Sequence, residues 1–315
     1  MGIFKKRQPG GAESPDPHLT FFSVTTANHF RALTRQVFAE LGYEVTVYPD
    51  HAVDGTGRKF GFWNIAATCS PQPEPAWRSL ISVHLQQLLR SFDAPSPFDT
   101  VPAADIPGHT FARLYDESSI PGLGNHPYRE FAPGVVEMLA LDLPESVAVF
   151  RHENARTFGG WEALRKQGMA NLAGLKTELL EKVTSPENAS FNILMGSSFY
   201  TASRALLLPG LATELTGKQV REDFGWLMSI PSRHQLMFHV IEDDSVLAAL
   251  NNMAILTARG YSDSPGQISP YVYWWNGTGY DQLTHAGEDR RMRVRIEPGF
   301  QRVLEAVTAQ KPAER

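Results

Sequence analysis

The apolar positions of the first hundred residues alternate between the period of a helix and that of a strand. After Asn28, one face of a helix is marked by Phe30, Leu33, Val37, Phe38 and Leu41, and Gly42 stands where a left-handed cap is preferred. Residues 43–48 alternate as in a half-buried strand, and the turn sequence 54–57 leads into a returning strand over 59–66. A second amphipathic stripe runs from Pro75 to Phe92 and includes Trp77. This pattern predicts a helix–hairpin–helix.

The remaining two hundred residues mix short apolar runs with helical stripes. The runs predict strands at 109–115, 135–143, 146–151 and 191–195, and hairpins at 224–230 with 236–241 and at 271–275 with 280–284. Helical spacing predicts helices over 161–172, 199–208 and 243–258, the first beginning at Trp161 and the last ending at Gly260. Hairpins interleaved with helices indicate an α+β fold, with a mixed or antiparallel sheet against packed helices.

Changes in composition divide the chain into four parts. Residues 1–18 are rich in Pro, Gly and Ser and are predicted to be a flexible tail, and 309–315 are predicted to fray. The Pro- and Asp-rich stretch 93–108 is interpreted as a connection. We therefore expect an N-terminal α+β subdomain at 19–100 and a larger α+β domain at 101–308.

Charge and length limit the kind of partner. The formal charge of −5 at pH 7 argues against a nucleic-acid binder. No apolar run reaches the roughly 18 residues of a membrane helix, and no secretory leader is visible, so a cytoplasmic location is expected. The basic start Lys5-Lys6-Arg7 could make weak electrostatic contact with an anionic membrane surface.

The common catalytic templates do not fit. Gly55, Gly57 and Gly61 have the wrong spacing for a dinucleotide loop, and no Gly-x-Ser-x-Gly elbow is present. The single cysteine, Cys69, is interpreted as a core thiol at the end of a half-buried strand. The ten histidines show no pair with metal-ligand spacing. Neither a cofactor nor a metal is therefore expected.

Two sets of residues remain as hypotheses for a site. Arg233 and His234 follow Ser232 in a short turn, and Arg204 lies on a preceding helix; together they could hold an anion or move a proton, or they could simply be solvated. Pro231 makes a strand exit, so the three turn side chains are predicted to project from the fold. The second set, Tyr273, Trp274 and Trp275, could form an aromatic binding surface or one buried face of a hairpin.

Several motifs resemble an uncharacterised bacterial family whose Bacillus member is called YtpQ. They are Phe199-Tyr200-Thr201-Ala202-Ser203-Arg204, Ile230-Pro231-Ser232-Arg233-His234-Gln235-Leu236, and Trp161 with Ala170-Asn171-Leu172. The similarity covers roughly residues 28 to 285, with long insertions. Where the family's turn usually carries an acid, this chain has His234, so a chemical role of that acid would be lost. The resemblance implies a fold and no established activity.

Two functions follow from these observations. The first is a non-catalytic accessory protein that binds an unknown protein partner through its strands and its aromatic residues. The alternative is a small hydrolase-like enzyme that acts on an anionic substrate through Arg204, Arg233 and His234. Convergence of these three side chains in a deep pocket would favour the enzyme.

Overall fold

The structure, a computed structural model, describes residues 14–93, 95–144, 146–184, 190–221, 223–287 and 291–309. The chain divides between residues 94 and 95 into two compact units. Sequence composition had suggested a division near residue 100. The predicted mixture of helices and antiparallel strands is confirmed.

The described part of the first unit, residues 14–93, contains three helices and a three-stranded antiparallel sheet. Its elements are α1 (Val24–Glu40), β1 (Val45–Val47), β2 (His51–Asp54), β3 (Lys59–Gly61), α2 (Trp63–Cys69) and α3 (Glu74–Asp93). Ser23 caps α1, because its hydroxyl accepts a hydrogen bond from the Thr26 amide. The strands pair in the order β1-β2-β3, and Trp77 is buried beside Phe22 and Phe30.

The predicted helix–hairpin–helix differs from what is observed. The returning strand ends at Gly61, and Trp63–Cys69 forms α2, so the order is helix, three-stranded meander and two helices. Ile65, Ala66 and Cys69 are all buried, which is the spacing of one helical face. Cys69 is therefore buried on a helix, and burial raises the pKa of its thiol to about 12.

Part of the segment predicted as a flexible tail, residues 1–18, is packed against the first unit. Asp16 is only 4% exposed, and its carboxylate accepts hydrogen bonds from the His18 and Leu19 amides. It also forms an ion pair with Arg31 at 2.8 Å, and this hydrogen bond is the main cause that lowers the pKa of Asp16 to about 2. Residues 1–13, with the basic start, and 310–315 lie outside the described residues.

The second unit is built from antiparallel sheets and the helices packed on them. Its helices are α4 (Pro97–Thr100), α5 (Ile106–His109), α6 (His152–Thr157), α7 (Trp161–Ala173), α8 (Gly210–Thr216), α9 (Val246–Asp263) and α10 (Pro298–Ala309). Its strands are β4 (Thr110–Asp116), β5 (Tyr128–Ala132), β6 (Val135–Asp142), β7 (Val147–Val149), β8 (Leu179–Thr184), β9 (Ser190–Met195), β10 (Trp226–Ser232), β11 (Gln235–Val240), β12 (Val272–Trp275), β13 (Tyr280–Gln282), β14 (Thr284–Ala286) and β15 (Met292–Val294).

Three sheets organise these strands. One has the order β4-β6-β5 with β7 beside β6, a six-stranded sheet has the order β13-β12-β10-β11-β9-β8, and β14 pairs with β15. Helix α7 lies directly against β4, because a Cβ at Gly168 would stand 2.6 Å from the Ala112 nitrogen. Only a glycine permits this approach of helix to strand.

Two predicted helices have different limits. The segment 199–208 contains a 3₁₀ helix at Ala202–Leu207 instead of a regular α-helix. Helix α9 continues through Gly260 to Asp263. A Cβ at Gly260 would meet Gln235 Oε1 at 2.7 Å and Pro231 at 3.2 Å, so this glycine allows close packing and does not end the helix. No helix of the described chain is long and apolar enough to cross a membrane.

Candidate functional site

The loop after β9 is held in place by Glu178. Its carboxylate accepts a hydrogen bond from the Ser197 amide and another from the Ser197 hydroxyl, both at 2.9 Å. These donors are the main causes that lower the pKa of Glu178. A Cβ at Gly196 would stand 2.7 Å from Thr201 Oγ1 and 3.1 Å from Glu178 Oε1, so glycine lets the carboxylate close on the loop. The loop thereby presents the Gly196 carbonyl and the Phe199 ring.

The turn between β10 and β11 brings Arg233 and His234 to this loop. The predicted projection of Ser232, Arg233 and His234 is not what the structure shows, since Ser232 is buried and the other two are half-buried. The Arg233 amide donates to the Gly266 carbonyl at 2.8 Å. Gly266 has φ of +70°, and a Cβ there would stand 2.5 Å from Arg233 Cδ. The glycine thus makes room for the arginine side chain.

The hydrogen bonds of His234 define its protonation. Its Nε2 accepts from Arg233 Nε at 2.9 Å, and its Nδ1 lies 3.1 Å from the Gly196 carbonyl, to which only an N–H can bond. The ring is therefore neutral, with its proton on Nδ1. Burial, and then the charge of Arg233, lower the pKa of His234, in agreement with this state. Both ring nitrogens are engaged.

A second arginine reaches the same place from β4. The Arg113 Cζ lies 4.6 Å from the ring centroid of Tyr115 and 5.9 Å from that of Phe199, while the Arg233 Cζ lies 4.1 Å from the Phe199 centroid. Both guanidinium groups therefore contact the face region of one partly exposed phenylalanine, a cation–π arrangement. We call Arg113, Tyr115, Phe199, Arg233 and His234 the arginine cluster.

Within the described chain, the two arginines of the cluster form no ion pair with an acid. Among the described residues, neither Arg113 nor Arg233 forms an ion pair with a carboxylate. Burial, and then the nearby charge of Arg113, lower the pKa of Arg233 to about 10. In addition, Arg113 Nε is buried without a hydrogen-bond partner in the described chain, and the buried Tyr115 hydroxyl has no acceptor there for its proton. Burial raises the pKa of Tyr115, which keeps its phenol protonated.

Arg204, the third residue of the predicted Arg/His site, does not join the cluster. It is 3% exposed and its Nη1 donates to the Thr177 hydroxyl at 2.9 Å. In the part of the chain that the structure describes, no hydrogen bond or ion pair links Arg204 to Arg233 or His234. Its Nε is buried without a partner, and burial lowers the pKa of its guanidinium. Arg204 is thus a buried cation within the 3₁₀ helix.

Replacement of Arg204 by methionine is expected to keep or raise stability. Methionine has a similar reach and removes a buried charge whose hydrogen-bond partner in the described chain is the Thr177 hydroxyl and which also feels the opposite charge of Glu214, with no ion pair between them. Thr177 is exposed and can bond to water instead. Comparable exchanges of buried charged groups for apolar ones are neutral or stabilising by about 1–4 kcal/mol. Urea unfolding of Arg204→Met measures this. A loss of more than about 1 kcal/mol would show that the guanidinium makes contacts beyond Thr177.

The aromatic residues proposed as a binding surface lie inside the second unit. Tyr273 is 0% exposed, and its hydroxyl donates to the Pro133 carbonyl at 3.0 Å. Trp274 is 5% exposed, and its Nε1 donates to the Phe224 carbonyl. Trp275 is half-buried and stacks on Trp226 with 5.2 Å between centroids. Buried partners for both polar tips explain why these rings turn inward and do not form a platform.

Two open pockets are lined in part by the loop over residues 196–199. One, of 340 Å³, is lined by residues that include Glu178, His234 and Gln235, and the other, of 390 Å³, by residues that include Asp142, Phe199 and Tyr200. Neither pocket is lined by Arg113 or Arg233, which reach solvent through their partly exposed surfaces. The positive charge of the arginine cluster, and not a deep pocket, therefore marks this region as the candidate site. Within the described ranges, no group of His, Cys, Asp and Glu could hold a metal ion.

Comparison of the chain with family models, curated proteins and solved structures finds no match.

The sequence gives only a weak indication of Arg113 and Tyr115, the two cluster residues on β4 that the sequence analysis does not select. Arg113 and Tyr115 alternate with the buried Ala112 and Leu114 on β4, so a charged side chain occupies a strand face that is otherwise aromatic. An arginine on such a face needs a partner. The residues that meet it, Phe199 and Arg233, come from loops some ninety and one hundred and twenty residues further along the chain, which no local pattern reveals.

Proposed function

We propose that this chain is a non-catalytic protein that binds a small anionic ligand at the arginine cluster. The observation that supports the proposal is the pair of partly buried guanidinium groups, Arg113 and Arg233, without a carboxylate partner in the described chain. Buried cations are ordinarily paired, because the cost of removing them from water must be offset. An anion that contacts both groups would supply that pairing.

The hydrolase-like alternative receives less support from the same geometry. It needs a general base or acid within reach of a substrate, and His234 is the residue that was expected to serve. Both nitrogens of that ring are already bonded, to Arg233 Nε and to the Gly196 carbonyl. The histidine therefore acts as a positioning residue that orients Arg233. An anion can bind to Arg233 while both hydrogen bonds of the His234 ring remain in place, whereas proton transfer by His234 would require one of them to break.

A protein partner held by Tyr273 and Trp274 has lost its structural support, because these side chains are buried. We also propose that the chain is related to the YtpQ-like family. Its two most characteristic motifs lie side by side, since the Ala202 amide donates to the Arg233 carbonyl at 3.1 Å and His234 bonds Gly196. A cytoplasmic location belongs to the same proposal and has only the sequence in its favour.

Loss of either guanidinium should weaken anion binding. We expect Arg113→Gln and Arg233→Gln each to weaken binding at least tenfold, because each removes a charge-assisted contact worth about 1.5–3 kcal/mol. Isothermal titration calorimetry of the full chain with sodium sulfate measures this, at constant ionic strength. Arg259→Gln is the matched control, since Arg259 is a solvent-exposed arginine whose only described ion pair is a 3.9 Å contact with Asp263.

Two substitutions of His234 separate charge from shape. His234→Gln retains a neutral side chain that can accept from Arg233, so binding should persist. His234→Glu places a carboxylate beside Arg233, which then competes with the ligand and should weaken binding to the level of Arg233→Gln. Circular dichroism establishes that each variant is folded. Equal sulfate binding by the Gln and Glu variants, or by Arg233→Gln and the parent chain, would refute the proposed function.

A further inference from the structure

The groups that face the arginine cluster can donate hydrogen bonds but have little capacity left to accept them. Arg113 and Arg233 are donors only, and the Tyr115 hydroxyl is protonated and has no acceptor in the described chain. Two acids near the same loop hold other donors, since Glu178 receives both bonds from Ser197 and Asp142 accepts from the Tyr200 hydroxyl at 3.0 Å; in the described chain neither pairs with the two arginines. A ligand group that complements the donors of the cluster therefore consists of acceptors, as in a fully ionised oxyanion.

The number of charges narrows the class of oxyanion. Two guanidinium groups contribute two positive charges, and His234 contributes none because its Nε2 accepts from Arg233. Glu178 and Asp142 also lie near the loop, but in the described chain neither forms an ion pair with the two arginines. A monoanion would pair with one guanidinium and leave the other without a counter-charge in contact, in a partly buried setting where Coulomb energies exceed those in water. A dianion offers one charge to each guanidinium group.

From these two observations we propose that the arginine cluster binds a tetrahedral dianion, the phosphoryl group of a phosphomonoester, in preference to a carboxylate. The inference rests on the proposed function and specifies its ligand class. A tetrahedral group offers three terminal oxygens in different directions, which suits donors that arrive from β4 and from the β10–β11 turn. A carboxylate has two oxygens in one plane and one charge, so it can satisfy a single guanidinium fork.

The titration of the ligand itself provides the test. The second pKa of a phosphomonoester is about 6, so methyl phosphate is mostly a monoanion at pH 5 and almost entirely a dianion at pH 7.5. Sulfate remains a dianion throughout this range. Calorimetric titration of the full chain with methyl phosphate, sulfate and acetate, at pH 5 and pH 7.5 and constant ionic strength, should show a distinct pattern for each.

We expect the affinity for methyl phosphate to rise about tenfold from pH 5 to pH 7.5, because the dianionic fraction rises from about one tenth to nearly one. The affinity for sulfate should stay constant within twofold, which controls for titration of His234, Glu178 and other protein groups. Acetate should bind at least tenfold more weakly than either at pH 7.5. Arg233→Gln should weaken the binding of both dianions at least tenfold.

The outcomes distinguish the two proposals. Equal affinity for acetate and methyl phosphate, or affinity for methyl phosphate that does not change with pH while sulfate still binds, would overturn the preference for a dianion and leave anion binding intact. Absence of binding for all three probes, or binding that Arg233→Gln does not change, would overturn anion binding at this cluster. Urea unfolding of Arg233→Gln checks that any loss arises in a folded chain.

Discussion

The variant Trp274→Ala is expected to lose about 3–5 kcal/mol of unfolding free energy, the range for large aromatic side chains in cores. Trp274 is nearly inaccessible, packs against Phe300 with 5.3 Å between centroids, and donates its Nε1 hydrogen to the Phe224 carbonyl at 2.9 Å. Truncation would leave a cavity and an unpaired carbonyl. Urea unfolding followed by circular dichroism measures the change, and sulfate binding by the folded fraction should be retained.

The matched control is Trp161→Ala, in the same unit. Trp161 begins α7 and is only partly buried, so the same truncation should cost clearly less. A Trp274→Ala variant as stable as the parent chain would place the ring at the surface. That result would restore the aromatic residues Tyr273, Trp274 and Trp275 as a surface for a protein partner.

Local periodicity predicts those parts of the fold that are decided by one face of a helix or strand. Helix α1, helix α3 and the β10–β11 hairpin follow directly from the spacing of their apolar residues. The segment 62–69 misleads because a short buried helix and a buried strand have the same apolar composition. Gly260 misleads for a different reason. The absence of a side chain at this position lets Pro231 and Gln235 pack closely against the helix, and it does not mark the helix end.

The candidate site is only half visible in the sequence. Arg233 and His234 can be selected because they share a short turn, but Arg113 and Tyr115 belong to a distant strand, and Phe199 to another loop. On the sequence alone, Arg204 is grouped with Arg233 and His234 by residue type. Its side chain is instead buried beside Thr177. Residue type and local spacing indicate chemistry, whereas convergence depends on long-range pairing, such as that of β9 with β11.

The ring of His234 also shows why residue type alone is a poor guide to role. An arginine next to a histidine suggests proton transfer when only the sequence is available. In the structure the same pair forms one hydrogen bond, in which the neutral ring accepts from the guanidinium. An acid in this position would cancel the charge of Arg233. Histidine orients the arginine without cancelling its charge, as the proposed function requires.

A buried ion pair in the second unit allows the cost of an unpaired buried charge to be measured. Glu137 on β6 is 1% exposed and receives two hydrogen bonds from Arg165 of α7, at 2.6 Å from Nε and 3.1 Å from Nη2. Arg165→Met should cost about 3–5 kcal/mol of unfolding free energy, because it leaves a buried carboxylate without its counter-charge. Chemical denaturation at neutral pH measures the loss.

The complementary variants show whether this loss is the value of the pair or the penalty for breaking it. Glu137→Met should cost less than Arg165→Met, because the Arg165 side chain is 24% exposed and can turn toward water. The double variant Glu137→Met with Arg165→Met should recover most of the stability, since two apolar side chains replace both charges at once. A double variant that is less stable than Arg165→Met would mean that the ion pair itself holds α7 on β6. We expect recovery, because the cost lies in an unpaired buried charge.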